Sequence, residues 1–272
     1  MYDRDATRTS MGALVELCRA LRQYKDEMVL AGGWAPCFLT QGYFDHCGSL
    51  DIDLVLRPNI VERYERIREI VERLGYEPTE NAFRFERQIA SPKTRNVWRV
   101  EVDFITEPQA AEKLPKEWLL SIQRDLKACI ILGSSIVFKH NREFTFSAIM
   151  PGDGEASTTL LCANVVSSLT MKGQALYRMK DKDSYDIYAV AGFHKGGPRE
   201  SSAEFMRSIK SMGQAEKVVL DGLQEIRNAF ASTTSQGPAA VARFTGSEDA
   251  RVDSYQRLEA FLANIGWGGR SD

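Results

Sequence analysis

Long apolar runs are missing from this 272-residue chain, and no stretch approaches the roughly 20 apolar residues that a membrane helix requires. No membrane partner is expected. The N-terminus, MYDRDATRTSMG, is charged and has no apolar centre, so a signal peptide is not expected either. A strong charge of one sign is also missing. The net charge is −2 and the pI about 6.0, so any nucleic-acid partner must be met by local basic residues. Histidine is scarce: His46, His140 and His194 are too dispersed to suggest a metal cluster. The five cysteines, Cys18, Cys37, Cys47, Cys129 and Cys162, include no C-x-x-C pair. A disulfide framework and a zinc site are thereby disfavoured, and buried free thiols in a reducing cytoplasm are expected. Internal repeats are absent.

What is present centres on residues 29–56, VLAGGWAPCFLTQGYFDHCGSLDIDLVL. A short apolar run stops at Gly32-Gly33, where bare backbone N–H groups can approach an anion and a helix N-terminus adds its positive end. A turn-rich loop then leads into Leu50–Leu56. There Leu50, Ile52, Leu54 and Leu56 share one strand face and Asp51 and Asp53 the other. Carboxylates two apart on a strand project into one space, and a hard divalent cation such as Mg²⁺ suits them. Further on, Val97–Ile105 alternates in the same way. Trp98, Val100, Val102 and Phe104 oppose Arg99, Glu101 and Asp103. By itself that pattern reads by default as a solvent-facing edge strand.

A glycine pair closing one strand and Asp-x-Asp opening the next resemble the active-site signature of the polymerase-beta-like nucleotidyltransferase superfamily. In that superfamily a third carboxylate stands on a neighbouring strand, and Asp103 matches it. The resemblance implies an α/β (α+β) fold. A mixed sheet with flanking helices would occupy residues 1–152, and a mostly helical domain residues 153–272, the boundary falling at the polar break Pro151–Glu155. Helices are expected over Met11–Tyr24 (capped by Thr9 or Ser10), Val61–Leu74, Ala110–Leu126, Thr158–Met179, Ser184–Phe193, Ala203–Met212 and Val218–Phe230. A last helix carries Val252 to Ile265. Strands are expected at Phe83–Ala90, Ile130–Phe138 and Phe144–Ile149. Ser232–Pro238 reads as a mobile linker.

A narrower resemblance rests on residues 160–190. Lys172, Arg178 six residues later, and then Asp183-Ser-Tyr-Asp186 are similar to the Lys…Arg and Asp-x-x-Asp motifs of AbiEii/MenT-type nucleotidyltransferase toxins. Ser49 matches the Ser/Thr ahead of Asp-x-Asp, whereas Cys47 and Gly48 stand where those toxins commonly carry Arg. Lys172 as a point charge and Arg178 as a bidentate fork suit phosphates. Residues six apart do not share a face of one ideal helix, and Asp183 and Asp186 could orient Lys172. Alone, the run from Lys180 to Asp183 would pass for a solvated helix end.

The resemblance implies a cytoplasmic nucleotidyltransferase toxin of a toxin–antitoxin or abortive-infection pair, restrained by a cognate antitoxin. Asp51, Asp53 and Asp103 would hold Mg²⁺, with two ions expected. Gly32, Gly33, Ser49, Lys172 and Arg178 would bind the NTP, and Asp186 would join the catalytic group. Lys180, Lys182 and Asp183 would meet the acceptor. An NMP would pass to RNA, with the tRNA 3′ end the leading acceptor, and pyrophosphate would leave. The alternatives are a small-molecule (antibiotic) nucleotidyltransferase and a binding protein with a decayed site.

Overall fold

The computed structural model describes residues 1–108, 114–152 and 154–267, and the chain forms two compact units. A sheet unit holds Tyr2–Trp34 and Cys47–Ala163. A helical unit holds Met1, Ala35–His46 and the chain from Asn164 onward.

The sheet unit begins with α1 (Arg4–Ala20), capped by Asp3, whose carboxylate accepts from the backbone N–H groups of Asp5 and Ala6. The cap expected at Thr9 or Ser10 is corrected. Both hydroxyls donate instead, Thr9 to the Asp5 carbonyl and Ser10 to that of Leu50. The first turns were missed because they bury Thr7, Thr9 and Ser10, polar residues that hydropathy does not flag. Then follow β1 (Met28–Leu30), β2 (Asp51–Leu56), α3 (Ile67–Arg73), β3 (Glu77–Pro78), β4 (Arg84–Ala90) and β5 (Val97–Thr106); between β1 and β2 the chain forms α2 (Trp34–Leu39), which from Ala35 on belongs to the helical unit. The strands β6 (Leu119–Gln123), β7 (Leu126–Ile130), β8 (Asn141–Ile149) and β9 (Glu155–Ala163) complete the unit. They make one mixed sheet in the order β3-β4-β5-β2-β1-β9-β8, with the β6–β7 hairpin joined to β5 through β7. The expected α/β mixed sheet is present.

Several element assignments are corrected. The helix expected from Val61 starts only at Ile67, because the Glu69 carboxylate accepts from the Arg66 N–H and Gln123 Oε1 accepts from the Ile67 N–H. Of the helix expected over Ala110–Leu126, residues 110–113 lie outside the described residues, and the rest is mostly β6 and its turn. A two-residue turn pairs Gln123 with Leu126. The strand expected over Ile130–Phe138 breaks at Gly133 (φ 81°), and a 3₁₀ turn follows at Ser134–Phe138. Glu107 holds that turn through the N–H groups of Gly133 and Ser135. The break at Pro151–Glu155 falls between two antiparallel partners, β8 and β9, with Ile149 paired to Glu155. The first part of the expected Thr158–Met179 helix is therefore strand, its Thr159 hydroxyl bonded across to Thr145. The expectation that no strand follows the break falls with it.

The helical unit contains α4 (Val165–Ala175), α5 (Asp181–Phe193), α6 (Pro198–Ile209), α7 (Lys217–Ala229), α8 (Gln236–Thr245) and α9 (Glu248–Asn264). Asn164 caps α4 by accepting from the Val166 and Ser167 N–H groups. Leu169, Ile187, Phe205, Leu223, Val241 and Phe261 are buried and form its core. Helices α4 and α7 cross closely at Gly173, where a Cβ would stand 2.3 Å from the Gly222 carbonyl oxygen. The segment expected to be a mobile linker leads straight into α8. Mutual hydrogen bonds among Ser232, Thr234 and Ser235 order its start. Among the described residues no helix is long and apolar enough to cross a membrane. All five cysteines are free, but only Cys18 and Cys162 are fully buried; Cys37, Cys47 and Cys129 are partly exposed.

Candidate active-site residues in two clusters

In the sheet unit the expected residues converge. Strands β2 and β5 run parallel, with Asp51 opposite Glu101 and Asp53 opposite Asp103. Partners across parallel strands project to the same face, so four carboxylates share one patch. Gly32 follows β1 with φ 60°, and a Cβ there would lie 1.7 Å from Asp53 Oδ2. Only glycine lets the turn from β1 into α2 close over that carboxylate. The Ala31 N–H donates to the Asp53 carbonyl and fixes the turn against β2. Gly33 sits between this turn and α2, and Ser49 is buried at the entry to β2.

Sequence reasoning missed Arg84. It stands opposite Asp103 across antiparallel β4 and β5. Its Nε and Nη2 donate to the two Asp103 carboxylate oxygens at 2.7 and 2.6 Å, and its Nη1 lies 2.6 Å from Glu101 Oε2. Arg99 Nη2 is 2.9 Å from Glu101 Oε1. The hydrogen bonds to Asp103 push the Arg84 pKa up, against the cost of burial. Burial pushes the Glu101 carboxyl above its ordinary range, opposed by Arg84 and reinforced by Asp51. Asp51, Asp53, Glu101 and Asp103 bring hard oxygen donors to one patch. That chemistry fits Mg²⁺. Arg84 nonetheless occupies both Asp103 oxygens, and among the described residues no three His, Cys, Asp or Glu side chains converge as a formed metal site. Arg84 was illegible because its role depends on the β4–β5 register, not on any local motif.

Removing Arg84 therefore tests whether the patch takes a cation. Arg84→Gln should lower unfolding stability by about 1.5–3 kcal/mol in chelator, the worth of hydrogen bonds to charged groups. Excess Mg²⁺ should restore more of that loss than it adds to the wild type. Equal Mg²⁺ responses in thermal melts of the two proteins would count against metal binding here.

In the helical unit a second cluster forms where α4 ends. After Ala175 a 3₁₀ turn (Leu176–Arg178) and the left-handed Met179 (φ 54°) turn the chain into α5. This resolves the six-residue spacing of Lys172 and Arg178: they do not lie on one helix. Both reach Asp183, Lys172 Nζ donating to Oδ1 at 2.8 Å and Arg178 Nη2 to Oδ2 at 2.9 Å. Lys172 Nζ is also 2.7 Å from Asp186 Oδ2, an ion pair in which that oxygen receives no properly angled hydrogen bond. Asp186 Oδ1 accepts from Lys182 Nζ at 2.8 Å and from His46 Nε2 at 3.0 Å. Lys182 and Asp183 are thus held in internal pairs, whereas Lys180 is exposed.

Burial works against the charge of both Lys172 and Asp186, and their ion pairs overcome it. The Lys172 pKa is raised and that of Asp186 lowered. His46 moves the other way: burial pushes its pKa below the usual value, only partly offset by its bond to Asp186, with Lys182 and Lys172 also lowering it. Phe44 and Tyr185 flank its ring. The pH consequence has a definite sign. Above about pH 6.5 His46 is neutral folded or unfolded and contributes nothing. Below it the unfolded chain takes a proton that the folded ring resists, so stability falls. Asp186 adds a further loss once the pH passes below the ordinary carboxylate pKa. Unfolding free energy measured from pH 7 to 5 should decline, by up to about 1.4 kcal/mol per pH unit for one proton. His46→Gln should flatten that decline. An equal decline in the variant would assign it elsewhere.

A family model described as "Nucleotidyl transferase AbiEii toxin, Type IV TA system" matches residues 16–258, far more than half of the chain and spanning both clusters. No curated protein and no solved structure matches the chain.

Proposed function

Because this chain belongs to the AbiEii nucleotidyl transferase toxin family of type IV toxin–antitoxin systems, we propose that it transfers an NMP from an NTP to an RNA acceptor and releases pyrophosphate. The family carries with it a nucleotide substrate and a cognate antitoxin. The tRNA 3′ end is the leading acceptor, and its modification would arrest growth. The observation that carries the reading is the register of β2 on β5, with Asp51 and Asp53 beside Glu101 and Asp103 and the Gly32 turn closed on Asp53.

Asp51 and Asp53 would hold Mg²⁺, with Asp103 joining them once the fork of Arg84 lets go. Bound there, the metal supplies charge neutralisation at the phosphates. Asp103 then draws the proton from the attacking hydroxyl. Gly32 and Gly33 offer backbone to the phosphates. Lys172 and Arg178 balance the charge that grows on pyrophosphate as it leaves. Lys172 and Arg178 stand together on Asp183, and two cations side by side suit an anionic ligand.

The test is labelling of total RNA with each of the four α-labelled NTPs, beside a panel of aminoglycosides and lincosamides. RNA labelling is expected, and it should weaken steeply with salt. The slope should be roughly −0.7 to −0.9 per neutralised phosphate, because each contact releases counterions. Exposed Lys180, Arg199 and Lys210 are the cations to reverse. Lys182 is not, since its charge is spent on buried Asp186. Labelled drug with unlabelled RNA would move the assignment to a small-molecule nucleotidyltransferase.

A further inference from the structure

Lys172 has at most two of its three N–H donors directed at carboxylates, and 13% of its side chain is exposed. The ammonium is held on these carboxylates, and part of the side chain remains open to solvent. What holds it is a pair of carboxylates, and the two are fixed differently. Asp183 is clamped by two cations, Lys172 on one oxygen and Arg178 on the other. Asp186 is completely buried, and its Oδ1 is fixed from two directions by Lys182 and His46. With Oδ1 pinned, the carboxylate cannot rotate, and Oδ2 stays at Lys172.

Of the two groups on Oδ1, Lys182 reaches it along a flexible four-carbon stem from its own helix, four residues away. His46 comes from the separate segment Ala35–His46, and its ring is rigid, 1% exposed and packed 5.0 Å from the Tyr185 ring. A wedged ring gives a fixed direction that a lysine stem does not. We propose that His46 is a positioning residue, whose Nε2–H sets the Asp186 carboxylate and through it aims the Lys172 ammonium at a phosphate group of the nucleotide. This rests on the reading of Lys172 as a phosphate-binding cation.

The ring can donate to Asp186 without adding charge, since burial keeps it neutral at ordinary pH. Around it lie Asp186, Lys182 and Lys172, with Asp183 and Arg178 beyond them on the same network. A fourth cation among these would repel Lys172, and a residue with no donor would leave Oδ1 to Lys182 alone.

The experiment uses two opposed substitutions in the full chain. His46→Gln keeps an N–H near the position of Nε2 and loses the ring; His46→Phe keeps a ring against Tyr185 and loses the donor. Binding of inorganic tripolyphosphate and of a non-hydrolysable ATP analogue is measured by calorimetry, with Lys172→Ala as reference. His46→Phe should weaken binding of both probes about tenfold or more. His46→Gln should stay within about threefold of the wild type, and the Lys172 ε-carbon NMR signal should shift in the Phe variant only. The reverse order, Phe tolerated and Gln not, would show a packing role and overturn the proposal. So would wild-type binding by His46→Phe while Lys172→Ala binds poorly, an outcome that leaves the phosphate reading of Lys172 standing. Undiminished binding by Lys172→Ala would instead remove that reading, and the proposal with it. If His46→Phe does not fold, His46→Leu serves as the variant without a donor under the same expectation.

Discussion

Lys172→Ala is expected to lose most of the transfer rate and a large share of the stability together. The ammonium is the shared counter-ion of Asp183 and Asp186, and Asp186 is fully buried. Removing one member of a buried ionic network typically costs about 3–5 kcal/mol, because the partner keeps its charge without compensation. Arg178, Lys182 and His46 remain to share the burden, which places the loss at the lower end. If the ammonium also meets the leaving phosphate, the rate should fall about 10²–10³-fold, the usual worth of one preorganised charge partner. Lys172→Arg should rescue poorly. A planar fork cannot present the same donors to two carboxylates 2.7 and 2.8 Å from a single nitrogen. Urea unfolding and steady-state rates on the same preparations separate the two effects. Activity near wild type in a folded Lys172→Ala protein would reduce this cluster to architecture.

Asp53→Ala should show a different combination: transfer abolished while the protein stays folded. Asp53 is half-buried opposite Asp103, and its loss removes an oxygen donor without opening the apolar core. The loss in rate should be on the order of 10³-fold or more, since metal-based charge stabilisation is worth several kcal/mol and each 1.4 kcal/mol is tenfold. Asp53→Asn controls for shape. Unimpaired RNA labelling by either variant would falsify the metal assignment, whatever becomes of the helical cluster.

The two clusters differ in how far they could be read from the chain itself. Asp51, Asp53 and Asp103 announce themselves because a strand repeats every two residues, so alternation alone places them on a polar face. The same alternation misled where elements are short. Leu119–Ile130 folds as two five-residue strands around a tight turn, and neighbouring periods of two blur into one resembling 3.6. Polar burial misled as well: Thr9 and Ser10 look like a cap, yet lie inside a helix that Asp3 begins. Lys172, Arg178, Asp183 and Asp186 were legible as a group, but the turn at Met179 that brings both cations to Asp183 was not.

By itself the sequence determined the alternating strands that carry Asp51, Asp53 and Asp103, the Gly32–Asp53 signature and the charged residues near the end of α4. These depend on local periodicity, on the conformational freedom of glycine and on residue types at short spacing. Tertiary structure alone decided which cations those carboxylates keep. Arg84 meets Asp103 because antiparallel β4 and β5 pair in one register, with Arg84 opposite Asp103 and Glu86 opposite Glu101. His46 meets Asp186, 140 residues further along the chain, because the segment Ala35–His46 packs with the helical unit. Sequence carries no distance information at such separations. A lone arginine or histidine acquires a role only when burial strips away water and brings specific partners within reach.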